Sequence, residues 1–506
     1  MVISYIKSPN SFMKQKSKII LSVIFFIALT LRLISIQTRP IWYDEAFSIL
    51  FAEKGPAAIL SGTLTADANT SAAEEHPPAY YFILWGWMQV FGTSLLSVRL
   101  LSILFSLGTI VCIYYIAHHL FNEQTARIAA IFAAILPFQI HYGVEVRMYI
   151  LLAFWLMLAT LAYLKRWWIV FSLAAALAQY THNLAAIYLI PLALTPLFQR
   201  DWKTLRTLTL AGFGSIILYS PWLIQLPSQI SKVTSSFWVE KPGFEKIFTL
   251  TLMYLPHLPL PNSMLPFGLL FAVLVIVLAA FQTNRALRDK SESAPSGFWL
   301  TYLSFAPPLL LWLVSQIYPI YVERALLPAH GIFCIWLAWA FMQTKLPRLV
   351  QAFAFVFVLT SAGMGIYQHI TYKGFPYVSP NLTESIQSRL ATGDIVIHSS
   401  KLSYLPAFYY TPSLSQGFIL DPVNSSIDTL SPATRRILDL SSYTDVKEAT
   451  ANADRIWFII YQTSIDEYDD AGQIQPQLEY LNKNFHLESV ADWNSLRLYL
   501  YEQEKP

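Results

Sequence analysis

Long apolar runs separated by short polar stretches fill the first 370 residues of the chain. A helix needs about 20 apolar residues to cross a bilayer. The runs that reach or approach this length are 19–36, 95–120, 126–141, 148–164, 167–181, 184–198, 205–226, 265–281, 298–317, 326–342 and 349–367. The pattern therefore predicts about eleven transmembrane helices.

Segment 79–91 is also apolar, but it is too short to cross comfortably and is rich in Tyr and Trp. It begins after Pro77 and Pro78, and proline favours the first turn of a helix. We therefore predict an interfacial helix that lies on the outer face of the membrane.

Basic residues support this count, because cytoplasmic loops are enriched in Lys and Arg. Four lysines precede the first run, which favours a cytoplasmic N-terminus and an uncleaved first helix: Lys7, Lys14, Lys16 and Lys18. With 79–91 outside the membrane core, every predicted inner loop is basic: Arg127; Lys165 and Arg166; Arg200, Lys203 and Arg206; Arg285, Arg288 and Lys290; Lys345 and Arg348.

Composition agrees with a multi-pass membrane protein, which we expect in the plasma or inner membrane. The chain is 55% hydrophobic and 13% charged, whereas soluble domains carry about 25% charged residues. The net charge of +3 is too small to indicate a nucleic-acid partner. Cys112 and Cys334 lie in apolar runs, so no disulfide framework is expected.

The last 136 residues have an ordinary composition and read as a small α/β domain. Strands are predicted at 393–397, 455–461 and 496–501, and helices at 382–390 and 475–484. We therefore expect a transmembrane domain at 1–370 and a second domain at 371–506. An odd number of spans places this second domain outside the cell.

Polar groups gather in the predicted outer loops, where the acidic ones are concentrated. They are Asp44, Glu45, Glu74, Glu75, His76, Glu145, Arg147, His182, Asn183, His257 and residues 321–324. Carboxylates near a bilayer are costly unless they serve a function or reach water. The alternative for Asp44 and Glu45 is that they cap a short surface helix.

Five of these segments, in order and spacing, resemble the integral-membrane glycosyltransferases of the GT-C fold. They are 42–45 (WYDE), 76–81 (HPPAYY), 145–149 (EVRMY), 180–182 (YTH) and 321–328 (YVERALLP). The branch with protein O-mannosyltransferases and the aminoarabinose transferase of lipid A is the most similar. The resemblance covers 19–367. It implies a hexosyl- or pentosyltransferase with a polyprenyl-phosphate sugar donor, a lipid, glycan or protein acceptor outside, and inversion at the sugar.

The chemistry expected of such a site is simple. A glycosyl phosphate already has a good leaving group, so one carboxylate that takes the acceptor proton and cations for the departing phosphate suffice. The resemblance implies Asp44 as the base, and Glu45 would orient the acceptor or Asp44. The alternative for Asp44 is a helix N-cap.

Arg324 and Arg147 are the predicted ligands of the donor phosphate, since guanidinium offers a planar fork of hydrogen-bond donors. Tyr321 and His76 are predicted to bind the same phosphate. Relatives can have a lysine where His76 stands, which weakens that assignment. The alternatives for the arginines are ion pairs with Glu323 and Glu145, or snorkelling. The predicted substrate-binding residues are Glu75, Glu145, Tyr149 and His182.

Two points stay open. A histidine placed as His182 is more often a satisfied polar group than a ligand. Glu74, Glu75 and His76 are chemically able to hold a divalent ion, but three adjacent residues are a weak signal, so no cofactor or metal is predicted as required.

Two other functions are compatible with the sequence. A transporter or lipid flippase would show inverted repeats and polar sites at mid-membrane, whereas here the polar groups cluster at one face and no repeat is visible. A scaffold protein that acts through its C-terminal domain would not need Asp44.

Overall fold

Two compact units make up the chain. The computed structural model describes residues 11–34, 36–37, 39–64, 74, 76–225, 239–342, 346–371, 377–422 and 430–503. The helical unit comprises Met1–Ile36, Ser102–Ser220 and Lys241–Ile370. The mixed unit comprises Gln37–Leu101, Pro221–Glu240 and Thr371–Pro506. The first loop and the C-terminal domain thus belong to one unit.

Helices dominate the chain up to residue 371. They are α1 (Ser11–Leu33), α2 (Tyr43–Glu53), α3 (Gly55–Thr63), α4 (Ala79–Phe91), α5 (Leu95–Leu120), α6 (Glu123–Ile135), α7 (Pro137–Val144), α8 (Tyr149–Lys165), α9 (Trp168–Thr181), α10 (Ala185–Phe198), α11 (Trp202–Leu223), α12 (Glu245–Tyr254), α13 (Leu265–Arg288), α14 (Ala294–Ser315), α15 (Leu327–Met342) and α16 (Arg348–Thr371). A 3-10 turn, Glu323–Leu326, precedes α15.

The predicted helical membrane architecture is confirmed, but the number of spans is not. Ten predicted runs each coincide with one helix, and 126–141 falls on the pair α6 and α7. Among the described residues, five helices are long and apolar enough to cross a membrane, or six if the bent α6–α7 pair counts as one. Four further apolar helices are shorter: Ile19–Leu33, α8, α9 and α10. The helix predicted at 79–91 is α4, and its interfacial position stays a prediction.

Helix α15 forms the centre of the helical unit. Every residue from Leu327 to Phe341 is buried, and α15 packs against α6, α8, α13 and α14. By contrast, only 28% of the most apolar window of α13, and likewise of α16, is buried. We expect the exposed apolar side chains of α13 and α16 to face lipid, because lipid tails are as apolar as these side chains.

A sharp bend of 58° separates α6 from α7. Pro137 has no amide hydrogen to donate to the carbonyl oxygen of Ala133, so the helix cannot continue through it. The fully buried Arg32 of α1 compensates for the break. Its guanidinium donates to the carbonyl oxygens of Ala134 (3.1 Å) and Ala133 (3.4 Å).

Arg32 also donates to three other oxygens: Ser106 Oγ at 2.7 Å, Ala28 O at 3.0 Å and Gln139 O at 3.4 Å. Its five N–H groups are therefore all engaged. In a membrane interior every backbone carbonyl needs such a partner. Arg32 thus joins α1, α5, α6 and α7 at one point.

The C-terminal domain is a six-stranded α/β structure in the mixed unit. Its elements are α17 (Pro380–Gln387), β1 (Asp394–His398), α18 (Lys401–Tyr410), β2 (Gln416–Ile419), α19 (Pro432–Leu438), β3 (Ser442–Tyr443), α20 (Val446–Thr450), β4 (Arg455–Tyr461), α21 (Gln462–Asp470), α22 (Pro476–Asn484), β5 (His486–Trp493) and β6 (Leu496–Glu502). The strand order is β3-β2-β1-β4-β6-β5. β1 to β4 are parallel, and β6 and β5 are antiparallel additions.

Apolar side chains cover both faces of this sheet, as parallel strands require. Trp457, Ile459 and Val396 face one cluster with α17 and α18. Ile397 and Phe458 face the other, with α20 and α22. The predicted α/β domain and its three predicted strands are confirmed, and the structure adds β2, β3 and β5.

The first-loop helices pack on the C-terminal domain within the mixed unit. α18 contacts α2, and α19 contacts α3. Tyr410 Oη accepts a hydrogen bond of 2.9 Å from the Ile41 amide, just before α2. Tyr409 Oη donates to Thr93 O at 3.2 Å. The entry to α2 is therefore fixed by the C-terminal domain.

Two glycines of α16 give a matched test of packing. A Cβ at Gly365 would overlap the carbonyl oxygen of Pro256 and the ring of Pro137, whereas a Cβ at Gly363 would meet nothing within 4 Å. We expect Gly365→Ala to lower the free energy of unfolding by about 1–3 kcal/mol, the usual effect of overpacking. Gly363→Ala should leave stability unchanged or raise it slightly. Thermal unfolding of both purified variants in detergent checks this, and equal stabilities would contradict the close approach.

Candidate active site

Helix α2 presents Asp44 in its first turn. The N-cap is Trp42, which makes no side-chain capping bond, and the helix begins at Tyr43. Asp44 is therefore not the N-cap that the alternative interpretation required. Its partly exposed carboxylate lies where a helix dipole favours negative charge. Ser48 Oγ donates to Asp44 O at 2.9 Å, within the helix.

The neighbouring Glu45 occupies a different environment. It is 2% exposed, and Arg99 binds both carboxylate oxygens, Nε to Oε1 at 3.1 Å and Nη2 to Oε2 at 2.7 Å. Arg99, 1% exposed, also donates to Arg39 O at 2.6 Å and Pro40 O at 3.2 Å. This pair joins α5 to the segment that leads into α2. Removing one partner of such a buried pair costs about 3–5 kcal/mol.

A second acidic residue, Glu74, orients His76. Glu74 Oε1 contacts His76 Nδ1 and accepts the His76 amide at 2.8 Å. Tyr81 Oη of α4 donates to Glu74 Oε2 at 2.9 Å. Glu74 is buried, while a quarter of the His76 side chain is exposed. A carboxylate on Nδ1 fixes the tautomer and the ring orientation of a histidine. Glu75 lies outside the described residues.

In the helical unit, Glu145 and Arg147 form a tight turn between α7 and α8. Both are 5% exposed. Ser102 Oγ of α5 donates to Glu145 O at 2.7 Å, and the Arg147 amide donates to the same oxygen at 2.8 Å. The backbone of the turn that carries both residues is thus held on two sides just before α8.

Arg324 lies against the same start of α8. Its guanidinium carbon is 4.8 Å from the ring centroid of Tyr149, a cation–π distance. The His182 ring lies 5.4 Å from that of Tyr149, and His182 Nδ1 accepts the Leu184 amide at 3.1 Å. Arg324, Tyr149 and His182, three of the predicted site residues, are therefore brought together at the start of α8.

The residues beside Arg324 shape its surroundings. Glu323 binds Lys246 Nζ at 2.8 Å, and both side chains are about one third exposed. Tyr321 is buried, and its burial together with Glu323 raises the pKa of its hydroxyl. Tyr321 is therefore a neutral phenol at physiological pH, able to donate a hydrogen bond.

The predicted site residues divide between the two units. Glu145, Arg147, Tyr149, His182, Tyr321 and Arg324 belong to the helical unit, and Asp44, Glu45 and His76 belong to the mixed unit. Across the described part of the chain, no three His, Cys, Asp or Glu side chains are grouped as metal ligands.

Three polar residues escaped the sequence analysis: Arg32, Arg99 and Gln139. The two arginines could have been found from their position at or near a predicted transmembrane run. Burying an ionisable side chain in a membrane costs free energy, so such a residue is expected to have a partner. Gln139 has no comparable signal, because an uncharged polar residue in an apolar run is common.

Known protein families match part of this chain. The family model for dolichyl-phosphate-mannose-protein mannosyltransferase matches residues 75–225. This range includes His76, Glu145, Arg147, Tyr149 and His182, but not Asp44 or Arg324. No curated protein sequence matches the chain significantly.

Solved structures match nearly all of it. ArnT from Cupriavidus metallidurans in the apo state aligns with a TM-score of 0.63 at 13% identity, over 95% of this chain and 97% of that one. The same protein bound to undecaprenyl phosphate gives 0.60 at 13% identity over the same shares. The Archaeoglobus fulgidus oligosaccharyltransferase gives 0.53 at 12%, over 98% of this chain and 75% of that one. The predicted resemblance to GT-C membrane glycosyltransferases is therefore confirmed at the level of the fold.

Proposed function

We propose that this protein is a membrane glycosyltransferase that moves a sugar from a polyprenyl-phosphate carrier to an acceptor. The observation that carries the proposal is the fold shared over 95% of the chain with ArnT, one of whose structures holds undecaprenyl phosphate. The family model adds a second transferase that uses a lipid-linked sugar. A lipid, glycan or protein acceptor is compatible with these relatives, and the transferred unit is a hexose or a pentose.

The proposed reaction is a single inverting displacement. The acceptor group attacks the anomeric carbon, its proton passes to the Asp44 carboxylate, and the polyprenyl phosphate leaves with the bonding electrons. Asp44 suits this role because the residue is partly exposed in the first turn of α2. Glu45 supports Asp44 through the fixed geometry of the Arg99 pair. One positioned base contributes about 10²–10⁴-fold in rate.

We propose that Arg324 and Arg147 stabilise the negative charge on the departing phosphate, and that Tyr321 and His76 donate hydrogen bonds to it. Arg324 is only partly buried, and its guanidinium lies over the ring of Tyr149. This contact orients the planar guanidinium and therefore the N–H groups that would bind the phosphate. Glu74 orients His76, a residue suited to a phosphate oxygen or an acceptor hydroxyl. Glu75, Glu145, Tyr149 and His182 are proposed to bind the sugar or the acceptor.

We further propose that the reaction occurs on the outer face, with the N-terminus in the cytoplasm. Ser388 and Lys165 are both exposed, and Cys112 and Cys334 are buried, so single introduced cysteines report their side with little background. In intact cells an impermeant thiol reagent should label Ser388→Cys and spare Lys165→Cys until the membrane is opened. The reverse pattern would overturn the proposed topology.

Asp44 offers the main test of the mechanism. Asp44→Asn should lower kcat by at least about 10²-fold, because an amide cannot accept the acceptor proton. The donor KM and the melting temperature should stay near those of the wild type. Glu53→Gln, the same chemical change on the same helix, is the matched control and should retain activity. Full activity of Asp44→Asn would remove Asp44 from the chemistry and would favour a flippase or scaffold role, neither of which needs a base.

Arg324 tests the nature of the donor. A charge-assisted hydrogen bond contributes about 1.5–3 kcal/mol, so Arg324→Ala should lower kcat/KM for the donor by about 10- to 100-fold. Arg324→Lys keeps the charge but loses the fork and should be intermediate. Arg127→Ala removes another arginine, paired with Glu123 on α6, and should have little effect.

The assay uses vesicles reconstituted with either a polyprenyl-phosphate sugar or a nucleotide sugar. Efficient transfer from the nucleotide sugar without a lipid carrier would refute the proposed donor. Unchanged kinetics in Arg324→Ala would refute the role of this residue.

A further inference from the structure

A buried amide in the helical unit connects the helix that leads to the Glu145–Arg147 turn with the residue that follows the 3-10 turn of Arg324. Gln139 of α7 is fully buried. Its Nε2 is 3.2 Å from Leu327 O and 3.2 Å from His330 Nδ1. His330, also fully buried, places Nε2 at 2.8 Å from Tyr254 O. These groups form a continuous polar chain inside an apolar core.

The hydrogen-bond directions in this chain are fixed by its end. Tyr254 O only accepts, so His330 Nε2 carries the hydrogen and Nδ1 is the acceptor. Gln139 Nε2 therefore donates both of its hydrogens, one to Nδ1 and one to Leu327 O. The backbone of Gln139 is also held in place, because its carbonyl oxygen accepts a hydrogen bond from Arg32 Nη2 at 3.4 Å.

This amide connects the segments that carry the assigned phosphate ligands. Leu327 directly follows the 3-10 turn Glu323–Leu326, which contains Arg324. Gln139 lies in α7, which ends at the turn formed by Glu145 and Arg147. The bond from Gln139 to Leu327 is thus a direct link between the Arg324 turn and the helix that leads to Arg147.

We propose that Gln139 is a positioning residue for donor binding, which sets the place of Arg324 relative to the turn that carries Arg147. The inference rests on the proposed function, since it needs Arg324 to bind the donor phosphate. Arg32 fixes Gln139, and Gln139 fixes the start of α15. Phosphate recognition by two guanidinium groups requires their spacing to be held, because misplacement of a ligand weakens every bond it makes.

Stability alone does not account for an amide at this place. Gln139 Oε1 is buried and has no hydrogen-bond partner within the described ranges. Burying such an oxygen is unfavourable and offsets part of what the two bonds donated by Nε2 contribute to stability. The directed bond to Leu327 O is what an apolar residue cannot reproduce.

The test compares two variants of purified enzyme in vesicles with a polyprenyl-phosphate sugar. Gln139→Met keeps the length of the side chain and removes both donors. We expect the donor KM to rise about 3- to 10-fold, the loss of a neutral hydrogen bond, with the acceptor KM unchanged and the melting temperature no lower than that of the control. Thr195→Val is the control: it removes the hydroxyl that accepts from Trp299 Nε1 at 3.0 Å, between α10 and α14, and should leave the donor KM unchanged.

A double-mutant cycle separates positioning from a general effect. In an Arg324→Ala background, Gln139→Met should no longer raise the donor KM, because the residue it positions is absent. An equal rise in both backgrounds, or no rise in either while Arg324→Ala alone raises the donor KM, would overturn the inference and leave the proposed function intact. An unchanged donor KM in Arg324→Ala itself would overturn the donor role of Arg324 and the inference together, whereas efficient transfer from a nucleotide sugar without a lipid carrier would overturn the proposed function.

Discussion

The need to satisfy backbone carbonyl groups inside an apolar medium governs the architecture of the helical unit. Pro137 breaks the α6–α7 helix, and water is not available to bind the carbonyl oxygens that the break exposes. Arg32 supplies the missing donors, and all five of its N–H groups are used. Gly143 makes this arrangement possible, since a Cβ there would press on Ser106 Oγ and Arg32 Nε. The bend in turn directs α7 toward the turn that carries Glu145 and Arg147.

Neighbouring acidic residues in α2 illustrate how one helical turn separates two roles. Glu45 points into the mixed unit and is bound by Arg99, whereas Asp44, one residue earlier, stays partly exposed. Arg99 also donates to two backbone oxygens just before α2, so the buried pair fixes the position of the start of the helix. A fixed helix start with a partly exposed acidic residue is a suitable arrangement for a general base, which must meet its partner at hydrogen-bond distance.

Much of the fold was predictable from the sequence, because apolar runs and turn residues act locally. The α4 bounds and the strands β1, β4 and β6 followed from such patterns. β3 was missed because it has two residues, and β5 because most of its side chains are exposed and leave no apolar alternation. Glu45 and Arg99 are 54 residues apart, and Gln139 and Leu327 are 188 apart. Pairings at that separation depend on how helices pack, which a single sequence does not encode in a readable pattern. The resemblance named Arg324, Tyr149 and His182 as site residues, whereas the partners that hold those residues in place left no pattern in the sequence.

The contact between Ile41 and Tyr410 has a consequence for biosynthesis. The two residues are 369 positions apart, which at ribosomal rates of about 5–20 residues per second corresponds to roughly 20–70 s of synthesis. The loop that carries Asp44 therefore leaves the ribosome well before the residue on which it packs. A nascent chain therefore holds the first loop without its packing partner until Tyr410 has been made, and a chain that terminates before α18 lacks the surface on which α2 packs. The order of the first loop therefore depends on synthesis of the C-terminal domain, because α2 packs on α18 of that domain.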